Sequence, residues 1–383
     1  MALALALVVL VLVGVLAATI CFIGVQEARM GESMRHLQRA FGVAEEGISA
    51  VIRTWDPTIY NVRPWVPFDS TPVPGGYPAV WAGAAHHTGA YGGHVYKLNG
   101  ELYFIDIAGR DSLAAPPGPG GGVWQRVGVL AHVLPPPSGV RAAVTGGTGI
   151  RVSGPVRVDG NDHVPTGWER CGPPDSARAG IHAANGGTVV ASGSPQIRGS
   201  PPTVIDAAPR TAPVAVLEGV PYTQLAAWAT HTLAGQAFAS GIGPVVVDGR
   251  CDVTVATNWG DGRNHNSMCG NYFPVVHVTG DASMGALQGQ GILLVDGDLV
   301  LHSGFEWFGI ALVRGRLTVE APLSRDIAVW GAVLAEDSVQ LEGASDRSVA
   351  IAYSKCAILK ALESVALVTN LRSRAWLMLS EVP

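Results

Sequence analysis

Lysine is almost missing from this chain. Its 383 residues include three, Lys97, Lys355 and Lys360, and charged residues of all kinds make up 14%. That is well below the usual quarter or so. With a net charge of −5 and no basic stretch, the chain lacks the cationic footprint that phosphate backbones require, which excludes a nucleic-acid partner. No Cys-x-x-Cys or His-x-x-x-His pair is present, so the cysteines do not have zinc spacing. The Gly-rich stretch Gly285 to Gly291 has no following Lys-Ser/Thr and is not a phosphate loop. No Gly-x-Ser-x-Gly elbow occurs. Asp159, Asn161, Asp162 and His163 form a short polar run of calcium-like content without the EF-hand pattern, and His86, His87 and His94 lie in a Gly-rich stretch with no acidic partner nearby. The polar run reads as a turn and the histidines as solvated loop residues. The expectation is no cofactor, no resident metal and no catalytic residue.

What the chain has in quantity is glycine (49), proline (26) and apolar residues (48%). That composition suits short strands joined by tight turns, and the apolar content argues against disorder. The first fifty-odd residues differ. Ala2 to Val25 carry no charged side chain, enough to cross a bilayer, which takes about 20 residues. From Met30 a second pattern begins: Met30, Met34, Leu37, Phe41, Ala44, Ile48 and Val51 recur at alternating steps of four and three, a heptad stripe. One continuous helix of that length would extend ~80 Å. The stripe is expected to be a helix-assembly interface, and the apolar half a transmembrane segment over 1–25.

The stretches Met1-Ala-Leu, Val25-Gln-Glu-Ala-Arg-Met-Gly31 and Arg39-Ala-Phe-Gly-Val-Ala-Glu-Glu-Gly47 resemble the N-terminus of type IV pilin-like proteins, in particular PilX-type pilus assembly proteins. The resemblance covers residues 1–54. It implies a helix that packs with other pilin-like subunits in the inner membrane, and a small sheet packed on its upper half. Such proteins carry a short basic leader ending in Gly. The expectation is that Met1 follows processing or that the true start lies upstream. Arg29, Arg35 and Arg39 follow the apolar run, which on the positive-inside rule would place the body in the cytoplasm, and an upstream basic leader removes that conflict. Ala2 to Leu7 contain no glutamate, which favours a minor subunit over a main fibre subunit. A cleavable secretory signal, with its basic n-region and shorter core, and a plain membrane anchor are the other readings of the run.

Self-comparison gives a repeat in the second half. Gly291-Ile-Leu-Leu-Val-Asp-Gly-Asp-Leu-Val-Leu301 aligns with Gly309-Ile-Ala-Leu-Val-Arg-Gly-Arg-Leu-Thr-Val319 and with Gly331-Ala-Val-Leu-Ala-Glu-Asp-Ser-Val-Gln-Leu341. Val275 to Asp281 and Pro244 to Arg250 fit the first half of the unit, and Thr148 to Gly160 and Gly187 to Gly193 are degenerate copies. A period near 20 residues means stacked strand–corner–strand units whose apolar faces line a shared interior. The predicted fold is a long N-terminal transmembrane and amphipathic α-helix followed by an all-β body, a parallel β-helix with inserted loops. Antiparallel hairpins are the alternative, because Asp-Gly also closes hairpins. Gly297 and Gly315 are expected at corners that need positive φ or close backbone approach.

The predicted divisions are 1–54 for the pilin-like helix, 55–142 for a linker and small sheet, 143–356 for the β-helix, and 357–383 for a capping helix and strand. Residues 57–78 are Pro- and Trp-rich and read as the linker, and residues 114–122 as a flexible loop. Two runs around Asn99-Gly100 read as a hairpin, with a third strand over 123–134. Loops at 161–183, 200–240 and 256–272 interrupt the stack, and such loops often carry binding surfaces.

Cys21 falls in the apolar run and reads as a packing residue. Cys171, Cys251, Cys269 and Cys356 allow three pairings. Cys251–Cys269, flanking a polar loop, is the favoured bridge. An exported body is expected to be bridged and a cytosolic one is not.

The expected function is a non-enzymatic pilin-like component of a type IV pilus or related secretion machinery, adhesive in its β-body. Its partners are other pilin-like subunits and the inner membrane, with the body in the periplasm and the surface ligand unspecified. The alternatives are a membrane-anchored β-helix enzyme acting on polysaccharide, which three or more charged side chains in one groove would favour, and a bactofilin-like polymerising scaffold.

Overall fold

The computed structural model describes residues 2–63, 66, 69–73, 78–80, 88–111, 123–207, 214–215, 217–320, 324–344, 349–370 and 376–379. His86, His87 and the 114–122 loop lie outside the described residues. Ala2–Arg53 is one unbroken helix. Its sequence is rich in Ala and Leu and has no proline until Pro57, so nothing interrupts the hydrogen-bond ladder. Asp56 then caps a single turn, Pro57–Tyr60, its carboxylate accepting from Thr58 N at 2.9 Å.

The upper part of the helix packs on a seven-stranded antiparallel sheet. Its strands are Ser70–Pro72, Pro78–Val80, Thr88–Lys97, Leu102–Asp111, Val123–Leu134, Leu367–Asn370 and Trp376–Leu379. The hairpin around Asn99-Gly100 and the third strand run where the sequence places them. The last two strands pair with Val123–Leu134, so the strand predicted in the C-terminal cap belongs to this sheet instead. Ile48, Ile105, Ile107, Val127 and Val129 are fully buried between helix and sheet, each contributing ~1.5–3 kcal/mol. Gly109 lets the two approach closely: a Cβ there would run into the backbone of Ala40 and Ala44.

The rest of the body is built from parallel sheets. A short-strand ladder runs, in spatial order, Ala237–Phe238, Ala282–Met284, Leu299–Leu301, Leu317–Val319, Ser338–Glu342, Gly149–Ser153, Thr188–Ser192. A long-strand ladder runs His231–Ala234, Val275–Thr279, Gln288–Val295, Glu306–Val313, Ile327–Ala335. It then forks. Residues Ile327 to Trp330 pair with Val349–Ala352, followed by Val156–Asp159 and Gln196–Arg198. Residues Val333 to Ala335 pair with Ala142–Gly146, followed by Ala179–Ala183 and Thr203–Ile205. The sequence repeat is the ladder register itself: Gly291, Gly309 and Gly331 stand opposite one another, as do Leu299, Leu317 and Val339.

Two features depart from the sequence reading. Residues 244–250 are not a rung. Asp248 and Gly249 both have positive φ (49° and 72°), closing an antiparallel hairpin of Val246–Val247 with Arg250–Cys251. Nor does the stack follow chain order. Its rungs advance from 231 to 352, and the earlier segment 142–205 is then seated on top, Ser338–Glu342 pairing with Gly149–Ser153. The rung at 338–352 is therefore internal. Helix Lys355–Glu363 does not cap it but lies across the long strands Gln288–Val295, Glu306–Val313 and Ile327–Ala335.

The predicted linker is a wedge between the two halves. Trp55 Nε1 donates to Asn61 Oδ1 at 2.9 Å, and Asn61 Nδ2 donates to the carbonyls of Glu363 and Ala366 at 3.0 and 2.8 Å. Val62 packs on Cys269 and Tyr272. Two disulfides are present, Cys251–Cys269 and Cys171–Cys356.

Candidate assembly surface

The helix presents two environments. From Leu10 to Met30 every residue is exposed. This helix is long and apolar enough to cross a membrane, with an apolar window of mean hydropathy 2.1. Cys21 is free and exposed within it. From Ala40 upward the helix joins the core of the chain's own sheet.

That division cuts through the predicted stripe. Met30, Met34 and Leu37 are 63%, 62% and 42% exposed. Phe41 is half-buried against the sheet, and Ala44, Ile48 and Val51 are fully enclosed by it. The heptad signal is real, but its upper four positions are occupied by the Val127, Val129 and Ile105 face of the same molecule. They form an intramolecular seam, and three positions of the stripe face outward. Sequence periodicity reports an apolar face and not which partner covers it. Where stripe and sheet part, His36 Nδ1 lies 2.8 Å from the buried Asp111 carboxylate, with Arg39 at 3.9 Å. This polar contact ties the helix to the sheet edge below the apolar seam.

The inserted loops form a second surface, over the long-strand ladder. Trp168 stacks between His265 and Phe308, at centroid distances of 4.5 and 5.8 Å, and donates to Gly262 O at 2.8 Å. Cys171–Cys356 ties that loop to the helix at Lys355–Glu363. Gln290 Nε2 donates to the carbonyls of Cys269, Gly270 and Tyr272, fixing the loop closed by Cys251–Cys269.

Charged groups gather where the 161–183 loop leaves the stack. Asp159 is buried, and burial alone would raise its pKa. Hydrogen bonds from Asn161 (backbone and side chain), Arg157 and His163 instead bring it down to about 2. Asp162 accepts from the backbone N–H groups of Asp175 and Lys355, at 3.0 and 2.9 Å. Asp175 accepts from the Tyr353 hydroxyl and from Arg178, both at 2.9 Å. Burial, followed by the Asp175 hydrogen bond, pushes the Tyr353 hydroxyl up to about 12. The calcium-like run is thus a set of clips between loop, strand and helix. Among the described residues no group of three or more His, Cys, Asp or Glu could hold a metal ion. Sequence reasoning missed Asp175, Arg178 and Tyr353, whose partners lie as far as 178 residues away.

No family model matches the chain, and no curated protein matches it. Among solved structures it is similar to the competence-associated pilin ComZ from Thermus thermophilus, at 10% identity over 90% of this chain and 98% of that one, with a TM-score of 0.24. A score that low carries no argument about fold or role.

Proposed function

We propose that this chain is a non-enzymatic pilin-like subunit of PilX type. In this reading it is held in the bacterial inner membrane by residues up to Val25 and displays an adhesive β-body on the periplasmic side, at a pilus or the cell surface. We further propose that the parallel ladders are the sides of one closed β-helix, with the bends at Gly291, Gly309 and Gly331 dividing each long strand into two sides. The observation that carries the reading is the single helix itself. Its upper end is buried in the chain's own sheet while Leu10 to Leu37 stay largely exposed. Exposed apolar helix of that extent needs lipid below and neighbouring helices above. Other pilin-like subunits are the partners this geometry fits, through Met30, Met34 and Leu37.

Replacing these three together by Asp leaves the folded body intact and the chain in the membrane, and removes it from sheared fibres. Normal recovery of the variant in the fibre fraction would overturn the assembly role.

The second reading, a membrane-anchored β-helix enzyme acting on polysaccharide, has the charged cluster at Asp159, Asp175 and Arg178 in its favour. The carboxylates there are committed to internal donors, and one ionised down to about pH 2 is a poor proton donor at neutral pH. That supports a structural role for the cluster.

A further inference from the structure

The two ends of the stack differ. At the 231–238 end, the strands His231–Ala234 and Ala237–Phe238 also pair on one side only, but Leu225, Phe238 and Trp259 are buried and fill the interior. At the other end, the strands Thr188–Ser192, Gln196–Arg198 and Thr203–Ile205 each pair on one side only. Register shows which of their side chains face inward. Val189 stands over Ile150, Ile197 over Val158, and Ile205 over Ala183. The lower member of each pair is buried in the core. The upper members are not enclosed: Ile205 is 55% exposed, and Val189 and Ile197 are half-buried. Among the described residues this end has interior side chains without a lid and three unpaired backbone edges. A stacked repeat without a polar cap exposes both an apolar surface and a pairing template.

We propose that this end is an interface that takes a second copy of the same chain, end to end and two-fold related. The inference rests on the closed-coil reading given above. Three observations select this occupant. The interior of the opposite end is filled by Leu225, Phe238 and Trp259, so it presents no open apolar rung to receive this one, and the same end is the surface that matches it. The chain already joins rungs without covalent continuity, since Gly149–Ser153 is seated on Ser338–Glu342 through a backbone ladder. Finally, Thr188–Ser192 carries no charge and has Val190 at its centre, 49% exposed. A two-fold axis through Val190 pairs this strand antiparallel with its own copy. It exchanges the other two sides, so Gln196–Arg198 of one copy lies along Thr203–Ile205 of the other. The two Arg198 guanidinium groups are then kept apart. This end-to-end contact limits the polymerising alternative to a dimer.

The test is cysteine cross-linking in the full-length chain, purified in detergent and carrying Cys21→Ser. Val190→Cys sits on the proposed axis and is expected to give a covalent dimer on mild oxidation. Val246→Cys is equally exposed at 49% on a hairpin away from this end and is expected to stay monomeric. A third variant, Arg151→Cys with Gln340→Cys, bridges the internal seam, where these residues are register partners. A seam bridge together with a monomeric Val190→Cys overturns the dimer and leaves the coil standing. Absence of the seam bridge overturns the coil reading and the dimer with it.

Discussion

Gly291, Gly309 and Gly331 stand opposite one another in three successive long strands, with φ of 101°, 137° and 139°. In the closed-coil reading proposed above, each is where its strand bends from one side to the next. A Cβ on Gly309 would meet the carbonyl of Gly291 below and the side chain of Ala361 on the covering helix. Gly309→Ala is therefore expected to destabilise the body by more than the ~1 kcal/mol of an ordinary glycine replacement, measured as a lowered thermal midpoint. Gly297 and Gly315 have no positive φ; they are glycines because the backbone of the neighbouring rung passes against them. Asp159 gives a second residue-scale prediction. Its folded pKa lies below its unfolded value, so its contribution is complete above about pH 4 and is lost as pH falls towards 2. Asp159→Asn should cost about 2 kcal/mol at neutral pH. It should also flatten the acid limb of a stability–pH curve over that interval.

Among the elements, the helix and the wedge do most to unite the molecule. Ile48 is enclosed by the sheet, so Ile48→Asp places a charge in an apolar seam and is expected to melt the helix–sheet unit. Limited proteolysis would show this as cleavage within 88–134, whereas the outward Met30, Met34 and Leu37 variants should resist it. How much was readable in advance follows from where the information lies. The rungs at 291, 309 and 331 repeat because each strand meets the next one along the chain, which stamps the register into the letters. The seating of 149–153 on 338–342 joins segments nearly 190 residues apart and leaves no such mark. Val-Val-Val-Asp-Gly at 245–249 spells a rung and folds as a hairpin, because Asp248 takes positive φ. Residues 57–78 read as a linker from their prolines, although Asn61 satisfies backbone carbonyls more than 300 residues away. For the candidate assembly surface, the stripe was legible and its division into a buried and an exposed part was not.

At the scale of the whole molecule, the two disulfides divide the labour unequally. Cys251–Cys269 closes a separation of 18 residues, and Cys171–Cys356 one of 185. On the loop-entropy account the longer bridge stabilises by about 2 kcal/mol more. Replacing Cys171 and Cys356 by Ser should thus lower the melting temperature more than replacing Cys251 and Cys269, when both variants are scanned side by side. The longer bridge also fixes the helix at 355–363, whose C-terminal end feeds the strand Leu367–Asn370 of the antiparallel sheet.

The out-of-order seam sets a timetable for biogenesis. A chain delivered N-terminus first releases residues 142–205 long before 338–352, the ladder on which they rest. Until that later stretch emerges, these valine- and isoleucine-rich strands have one another but not the rung beneath them, and the body cannot be completed from its leading end. Maturation has to be sealed from the trailing end, in one late event that also lays the last two strands onto the sheet beside the helix.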